Sequence, residues 1–404
     1  MGADAKAEGK PNEWLRALQG MRDFVIRNYL VVAFMVAFTV ALSAPVPGQA
    51  ALKPKVQGVH VVTFINICLV FFVSGLTLRT DELKTAFTRR NALGTVFGFV
   101  SIVGITPLLA FAVRGLPFEP AEYTTGLALF CIVPTTLGVG ISLVTSAKGN
   151  VAQSILLTVA TNTIGVIAIP LWLKATLQAG KGGVDDVTIN FLDIFVKLLL
   201  SFFVPTMIGK AVRELLPPAK RFAQAHKQAL GIFANTNLAL LIWQTISASQ
   251  SIIINTPFGT MLLVILSTLL VHTIYLIFNA AVVLGLLRLD LPEASCILIM
   301  ASQKSAPVAV TVITYIAQRD DTQGLLAVPC VIGQLVQIFV GQPLAHYLAG
   351  RIVRWREARA EAEAAKEVEV EAVRAAEGKS VDGAVLVAGA PAPAAAAGDV
   401  ERGS

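Results

Sequence analysis

The chain has 404 residues, 55% of them hydrophobic and 14% charged, and its mean hydropathy is +0.70. That composition excludes an ordinary soluble enzyme, and repeated apolar runs of ~20 residues, the length that crosses a ~30 Å hydrocarbon core, make it an all-α polytopic membrane protein in a lipid bilayer. The net charge of +6 would suggest a nucleic-acid partner in a soluble chain; here it serves topology, and no nucleic acid is expected.

Residues 1–22 form a polar segment containing Asp4, Glu8 and Glu13 and lacking the apolar core of a secretory signal, with Lys6 where a myristoylation signal wants Ser or Thr. The membrane domain is expected over 23–350, with apolar runs at 24–43, 60–78, 92–113, 124–146, 153–174, 190–209, 228–247, 258–286, 293–316 and 324–349. One set of alternating loops and ends carries twenty Lys and Arg residues, and the other carries six: Lys53, Lys55, Arg114, Lys174, Lys181 and Arg319. This asymmetry places both termini on the positive-inside face, a parity that agrees with ten spans. Residues 351–404 pass from Arg351, Arg354, Arg356 and Arg359 through an Ala/Glu-rich stretch to APAPAAAAG, which predicts a short frayed helix and then disorder.

Two features recur at an offset of 173 residues: Pro134 with Pro307, and Pro170-Leu171 with Pro343-Leu344. The matched prolines fall in spans 4 and 9 and in spans 5 and 10, which predicts two five-helix repeats, about 24–175 and 190–349. Five is odd, so the second copy inserts upside down, the inverted-repeat plan of secondary transporters.

Span 4 reads LFCIVPTTLGVGISLVTSAKGN and span 9 reads ILIMASQKSAPVAVTVITY. Pro134 and Pro307 are the expected hinges of two broken helices, whose freed backbone groups are tolerated in a membrane only where they line a protein interior. The candidate substrate or ion site comprises Thr135, Thr136, Gly138, Gly140 and Ser142 from the first, and Ser302, Gln303, Lys304 and Ser305 from the second. Thr158, Thr161 and Asn162 of span 5 extend it. Lys304 is eleven residues from both Glu293 and Tyr315, on the order of 16 Å from either end at ~1.5 Å per residue. Such a cation costs roughly 2.5–3.5 kcal/mol on insertion scales and needs a polar cavity or counter-ion. Tight packing and a simple kink are the plainer readings of the glycines and prolines; Lys304 tips the balance towards function.

Asn235, Thr236, Asn237 and Gln244, and likewise Gln334 and Gln337, fit interhelical hydrogen bonding better than a site. Asp193 and Lys197 fit an i,i+4 pair, and His272 and Tyr275 fit satisfied core positions. Cys68, Cys131, Cys296 and Cys330 each stand alone in apolar sequence, as core-filling residues, and no metal or cofactor is expected. No paired carboxylates or Ser/His dyad appear at catalytic spacing, so no catalytic residue is assigned and the chain is not read as an enzyme. Away from span ends, such as that of Asp193, no Asp or Glu lies inside a span. A fixed lysine without a membrane carboxylate suits a small anionic solute rather than a cation.

These residues resemble the bile acid:sodium symporter family, in particular the fourth group of its plant plastid branch of sodium/metabolite cotransporters. The resemblance runs from about Asn28 to Arg351 and is carried by SGLTLRTDEL at 74–83, FCIVPTTLGVGISL at 130–143, KGN at 148–150, SQKSAPV at 302–308 and LLAVPCV at 325–331. It implies ten helices in a panel and a core domain, with spans 4 and 9 crossing as unwound helices beside the solute cavity, and the plastid inner envelope as location; otherwise a plasma or bacterial inner membrane is expected. In sodium-coupled relatives the span-9 crossover carries an acid and a Gln-Asn that ligate sodium, where this chain has Ala301-Ser302-Gln303-Lys304-Ser305. Their span-4 Ser-Asn is replaced around Val139-Gly140, and a span-3 glutamine appears as Ile102 ahead of Pro107; the span-5 hydroxyls match at Thr158 and Thr161. Secondary transport of organic anions by alternating access is the expected function, with sodium coupling in question because Lys304 stands in the cation's place or meets the solute's charge. The alternative is a non-transporting membrane receptor or regulator on the same fold. The solute and the oligomeric state stay open.

Overall fold

A computed structural model describes residues 13–56, 59–78, 92–136, 138–178, 191–317 and 319–387. The chain opens with α1 (Glu13–Arg27), α2 (Tyr29–Ser43) and α3 (Pro45–Leu52). A small antiparallel hairpin, β1 (Lys55–Val56) and β2 (Val59–His60), pairs Lys55 with His60 and leads into α4 (Val61–Thr77). Then come α5 (Ala92–Val113), α6 (Glu122–Ile132), α7 (Val139–Ser146), α8 (Val151–Gln178) and α9 (Phe191–Leu215). The second half holds α10 (Pro217–Ala225), α11 (Lys227–Ala248), α12 (Gln250–Asn255), α13 (Phe258–Leu286), α14 (Leu291–Ser302), α15 (Ala306–Ile316) and α16 (Asp320–Val387).

Among the described residues, seven helical runs are long and apolar enough to cross a membrane: α5, α8, α9, α11, α13, the run Leu291–Ile316 across α14 and α15, and Asp320–Glu369. The other three expected spans fall on shorter helices, each for a local reason. The run 24–43 is interrupted at Asn28, whose side chain turns back to Phe24 O (3.0 Å), so its start belongs to the polar-faced α1. The run 60–78 has only the 17 helical residues of α4, and 124–146 is divided by Pro134 into α6 and α7.

The chain forms two units, one ending at Gly350 and one beginning at Arg351. In the second, helix persists to Val387 where fraying was expected sooner. Arg359 there pairs with Glu363 (3.0 Å) and lies over the Trp355 ring. Residues 388–404, where the low-complexity stretch predicts disorder, lie outside the described residues, as do 1–12 and 79–91, which include the last five residues of the SGLTLRTDEL segment.

In the first unit, α11 packs against α2 and α4. Tyr29 hydroxyl shares a 2.7 Å hydrogen bond with Thr236, and Thr63 donates to Gln244 Oε1 at 2.9 Å, so these polar side chains join helices in apolar surroundings, as expected of them. Asp193 and Lys197 pair at 2.7 Å.

Helices α4 and α9 touch backbone to backbone. A methyl group on Gly75 would lie 2.0 Å from Thr206 O, and one on Gly209 would lie 2.1 Å from Phe72 O. The helices must separate to admit either, as small residues in membrane helices allow close approach. Gly209→Val is therefore expected to destabilise the purified protein by about 1–3 kcal/mol, read as a lower thermal unfolding midpoint in detergent. An unchanged midpoint would mean that the contact contributes nothing.

Two apolar clusters bracket a polar layer. One contains Phe130–Val133 of the α6 end with Ala306 and Val308–Val310 of α15; the other contains Leu143 and Val144 of α7 with Cys296–Ala301 of α14. Between them lie Pro134–Thr136 and Ser302–Ser305, all buried.

Candidate functional site

Both breaks follow from local sequence. Val133 precedes a proline and adopts extended geometry (φ −74°, ψ 154°), because the proline ring disfavours helix at the preceding residue. In the second break Gln303 and Ser305 are extended, and Pro307 lies in the first turn of α15, where its missing N–H is not needed. The two extended segments cross and are stitched together: Ser305 N–H donates to Pro134 O at 3.0 Å and Thr135 Oγ1 to Met300 O at 2.7 Å.

Lys304 lies in this crossing and is fully buried. Its Nζ donates to Thr106 Oγ1 (2.9 Å), Val133 O (3.1 Å) and Ile102 O (3.3 Å), and it stands 5.6 Å from the Tyr275 ring centroid. Each oxygen has a reason to be available. Val133 follows the end of α6, so its carbonyl has no place in that helix's ladder. In α5 a π turn over Ser101–Ile105 sends the Thr106 N–H to Ser101 O, which frees Ile102 O from its usual backbone donor. Pro107 likewise frees Val103 O, which accepts from the Trp172 indole at 2.8 Å. Three N–H donors thus meet three neutral oxygens drawn from α5 and the first crossover, and none of the three is acidic.

The remaining predicted residues divide. Gln303 donates to Gln337 O (3.3 Å), and Ser302 O accepts from His272 Nδ1–H (3.0 Å) while its hydroxyl meets Asn279 (3.3 Å). Asn162 donates to Thr135 O (3.1 Å) and so joins α8 to the crossover. Thr136 and Thr161 are buried, and a methyl group on Gly140 would lie 2.8 Å from Met300 Sδ, so that glycine admits α14. The Thr158 hydroxyl instead bonds Ser154 O of its own helix, and Gly138 and Ser142 are exposed, outside the buried crossing.

Several partners were not apparent from sequence. Ile102 and Val133 act through carbonyls, which carry no side-chain signature; the Thr106-Pro107 pair was the available signal. Gln334 and Gln337, read as interhelical, accept from the Ala306 N–H (3.2 Å) and the Lys304 N–H (3.0 Å) and so satisfy donors at the start of α15. His272 and Tyr275 are hydrogen-bonded core residues that abut the lysine's surroundings; Tyr275 OH donates to Thr106 O at 3.0 Å. Thr161 Oγ1, Asn162 Oδ1, Gln303 Oε1, Ser305 Oγ and Gln334 Nε2 have no hydrogen-bond partner among the described residues.

Gln337→Leu would leave the buried Lys304 N–H unsatisfied, a loss of about 1–3 kcal/mol. The unfolding midpoint should fall in that variant and be largely kept in Gln337→Glu, which retains an acceptor. Equal effects of the two changes would show that the acceptor is unimportant.

A model of the SBF-like CPA transporter family matches residues 28–350. The chain is 30% identical over 333 residues to "Probable sodium/metabolite cotransporter BASS4, chloroplastic" of Oryza sativa subsp. indica, covering 80% of this chain and 76% of the relative. The Arabidopsis thaliana protein of the same name is 30% identical over 329 residues, 80% of this chain and 73% of the relative. "Sodium/bile acid cotransporter 7" of Rattus norvegicus is 24% identical over 245 residues, 57% of this chain and 64% of the relative.

Proposed function

The chain belongs to the SBF-like CPA transporter family, and on that premise we propose that it is a secondary carrier of small organic anions that works without sodium, the Lys304 ammonium standing where a coupling cation would sit. The single observation that supports this reading is the fully buried Nζ within 3.3 Å of three neutral oxygens. All three donors are used, which favours a built-in cation over a lysine held free to grip the solute. The solute's negative charge is then met by the field of Lys304 and by the N-terminal ends of α7 and α15, which begin directly after the two crossovers.

The reading carries the finer architecture with it: ten spans in two inverted five-helix halves, both termini on the positive-inside face, and panel helices against which the crossover helices rock. The names of the plant relatives favour a plastid envelope membrane.

The test is uptake of a panel of labelled mono- and dicarboxylates into vesicles containing the purified chain, with all sodium replaced by potassium. Uptake is expected to stay within about twofold, because a fixed ammonium needs no external ion. A loss of transport on removing sodium would overturn the proposal.

A further inference from the structure

A second polar cluster lies away from the crossover, where the hairpin and the start of α4 meet the start of α16. His60 is 4% exposed, and both of its ring nitrogens face oxygens: Nδ1 is 2.5 Å from Leu52 O and Nε2 is 3.1 Å from Asp320 Oδ1. A carbonyl only accepts, so Nδ1 carries a proton. The carboxylate also only accepts, so the second contact is a hydrogen bond only when Nε2 is protonated as well and the ring is an imidazolium.

Gln323 supplies the other half of the argument. Its Nε2 is 3.4 Å from His60 Nε2, a contact that suits the neutral ring, whose bare Nε2 accepts. Its own Oε1 is buried without a partner. A half turn of the amide exchanges the two atoms and lets Oε1 accept from a protonated Nε2. The cluster therefore has a satisfied arrangement with the proton and another without it; Gln323 bonds His60 to α16 in both, and only the first adds the ion pair with Asp320, so the tie is stronger with the proton. The other groups facing His60 are Lys55, opposite it in the hairpin and 2.9 Å from Asp320, and Tyr315 of α15, which lines the same small space with Thr63. Arg319 is paired with Asp321 beside them.

We propose that His60, Asp320 and Gln323 form a proton-binding latch, separate from Lys304, that holds the start of α4 to the start of α16 when Nε2 gains a proton from water and loosens when that proton is returned. The inference rests on the alternating-access reading, in which this contact closes one mouth of the carrier. It makes the proton a ligand of one conformational state, and a ligand that binds one state better shifts the population towards it.

The test uses spin labels at Val56 and Thr322 in the full chain in lipid vesicles, with the four free cysteines replaced, and reads the distance between labels at about pH 5.5 and about pH 8. The wild type should hold a short, narrow distance at low pH, with that population falling by about threefold or more at high pH. His60→Gln, which keeps a neutral donor, should not respond to pH. An unchanged wild-type distribution, or a His60→Gln protein that follows the wild type, overturns the latch. This readout needs no solute. Failure of carboxylate uptake with an intact distance response would refute the carrier reading alone; uptake with no distance response would refute the latch alone.

Discussion

Lys304→Met is expected to abolish carboxylate uptake, by at least about a hundredfold, while leaving folded protein in the membrane. The two halves of that expectation come from different terms. Burying the lysine costs roughly 2.5–3.5 kcal/mol on insertion scales, and hydrogen bonds from a charged group return about 1.5–3 kcal/mol each. Methionine, of similar length and uncharged, removes both the cost and the return. It leaves Val133 O without the donor it has now, for about 1–3 kcal/mol, while Ile102 O keeps a 3.2 Å contact from the Thr106 hydroxyl. Three such bonds return more than burial costs, so the variant should stay folded but with a lowered unfolding midpoint. What methionine cannot restore is the positive charge between the crossovers, which on the proposed reading meets the charge of an anionic solute, and the bonds that tie α5 to both extended segments. Monodisperse elution with a lowered thermal midpoint, together with lost uptake, is the expected pair of results. Uptake within twofold of wild type would return Lys304 to a packing role. Lys304→Arg should also fail, since a planar five-donor fork does not fit three oxygens arranged around a compact ammonium.

Much of the site could be read from residues whose chemistry conflicts with a membrane helix. Pro134 and Pro307 marked both crossovers, and Lys304 marked their centre, because a proline or a buried cation is anomalous wherever it falls in an apolar run. The acceptors were hidden for the opposite reason. Ile102 and Val133 look like ordinary apolar residues, and only the π turn in α5 and the end of α6 turn their carbonyls into ligands. Gln334 and Gln337 looked like interhelical bonds, and they are, but the backbone they bond is that of the second crossover. Gly138 and Ser142 were grouped with their neighbours by sequence proximity, whereas the turn into α7 leaves both exposed. Three of the ten apolar runs proved shorter as helices than as hydropathy segments, since hydropathy does not register the break at Asn28 or the division at Pro134. The His60–Asp320 contact joins residues 260 positions apart, and no local pattern announces it.

A different substitution at the same residue separates a built-in cation from a merely tolerated one. Lys304→Ala removes the ammonium and its stem but leaves Thr106 Oγ1, Val133 O and Ile102 O around the vacated position. If those oxygens form a cation site, the variant should be markedly unstable in choline, whose bulky head cannot enter, and recover in small monovalent cations. Ammonium should act most directly, because it reproduces the lost headgroup with the same N–H donors, and sodium and potassium report how far the site accepts a bare ion. A cation that binds only the folded state adds about 2.7 kcal/mol when present at a hundred times its dissociation constant, which thermal unfolding in detergent resolves easily. The wild type should show no such dependence, because its own ammonium already fills the position. A variant equally unstable in ammonium, sodium, potassium and choline would mean that the three oxygens are organised by the lysine rather than for a cation, and the reading of Lys304 as a cation's replacement would fail with it.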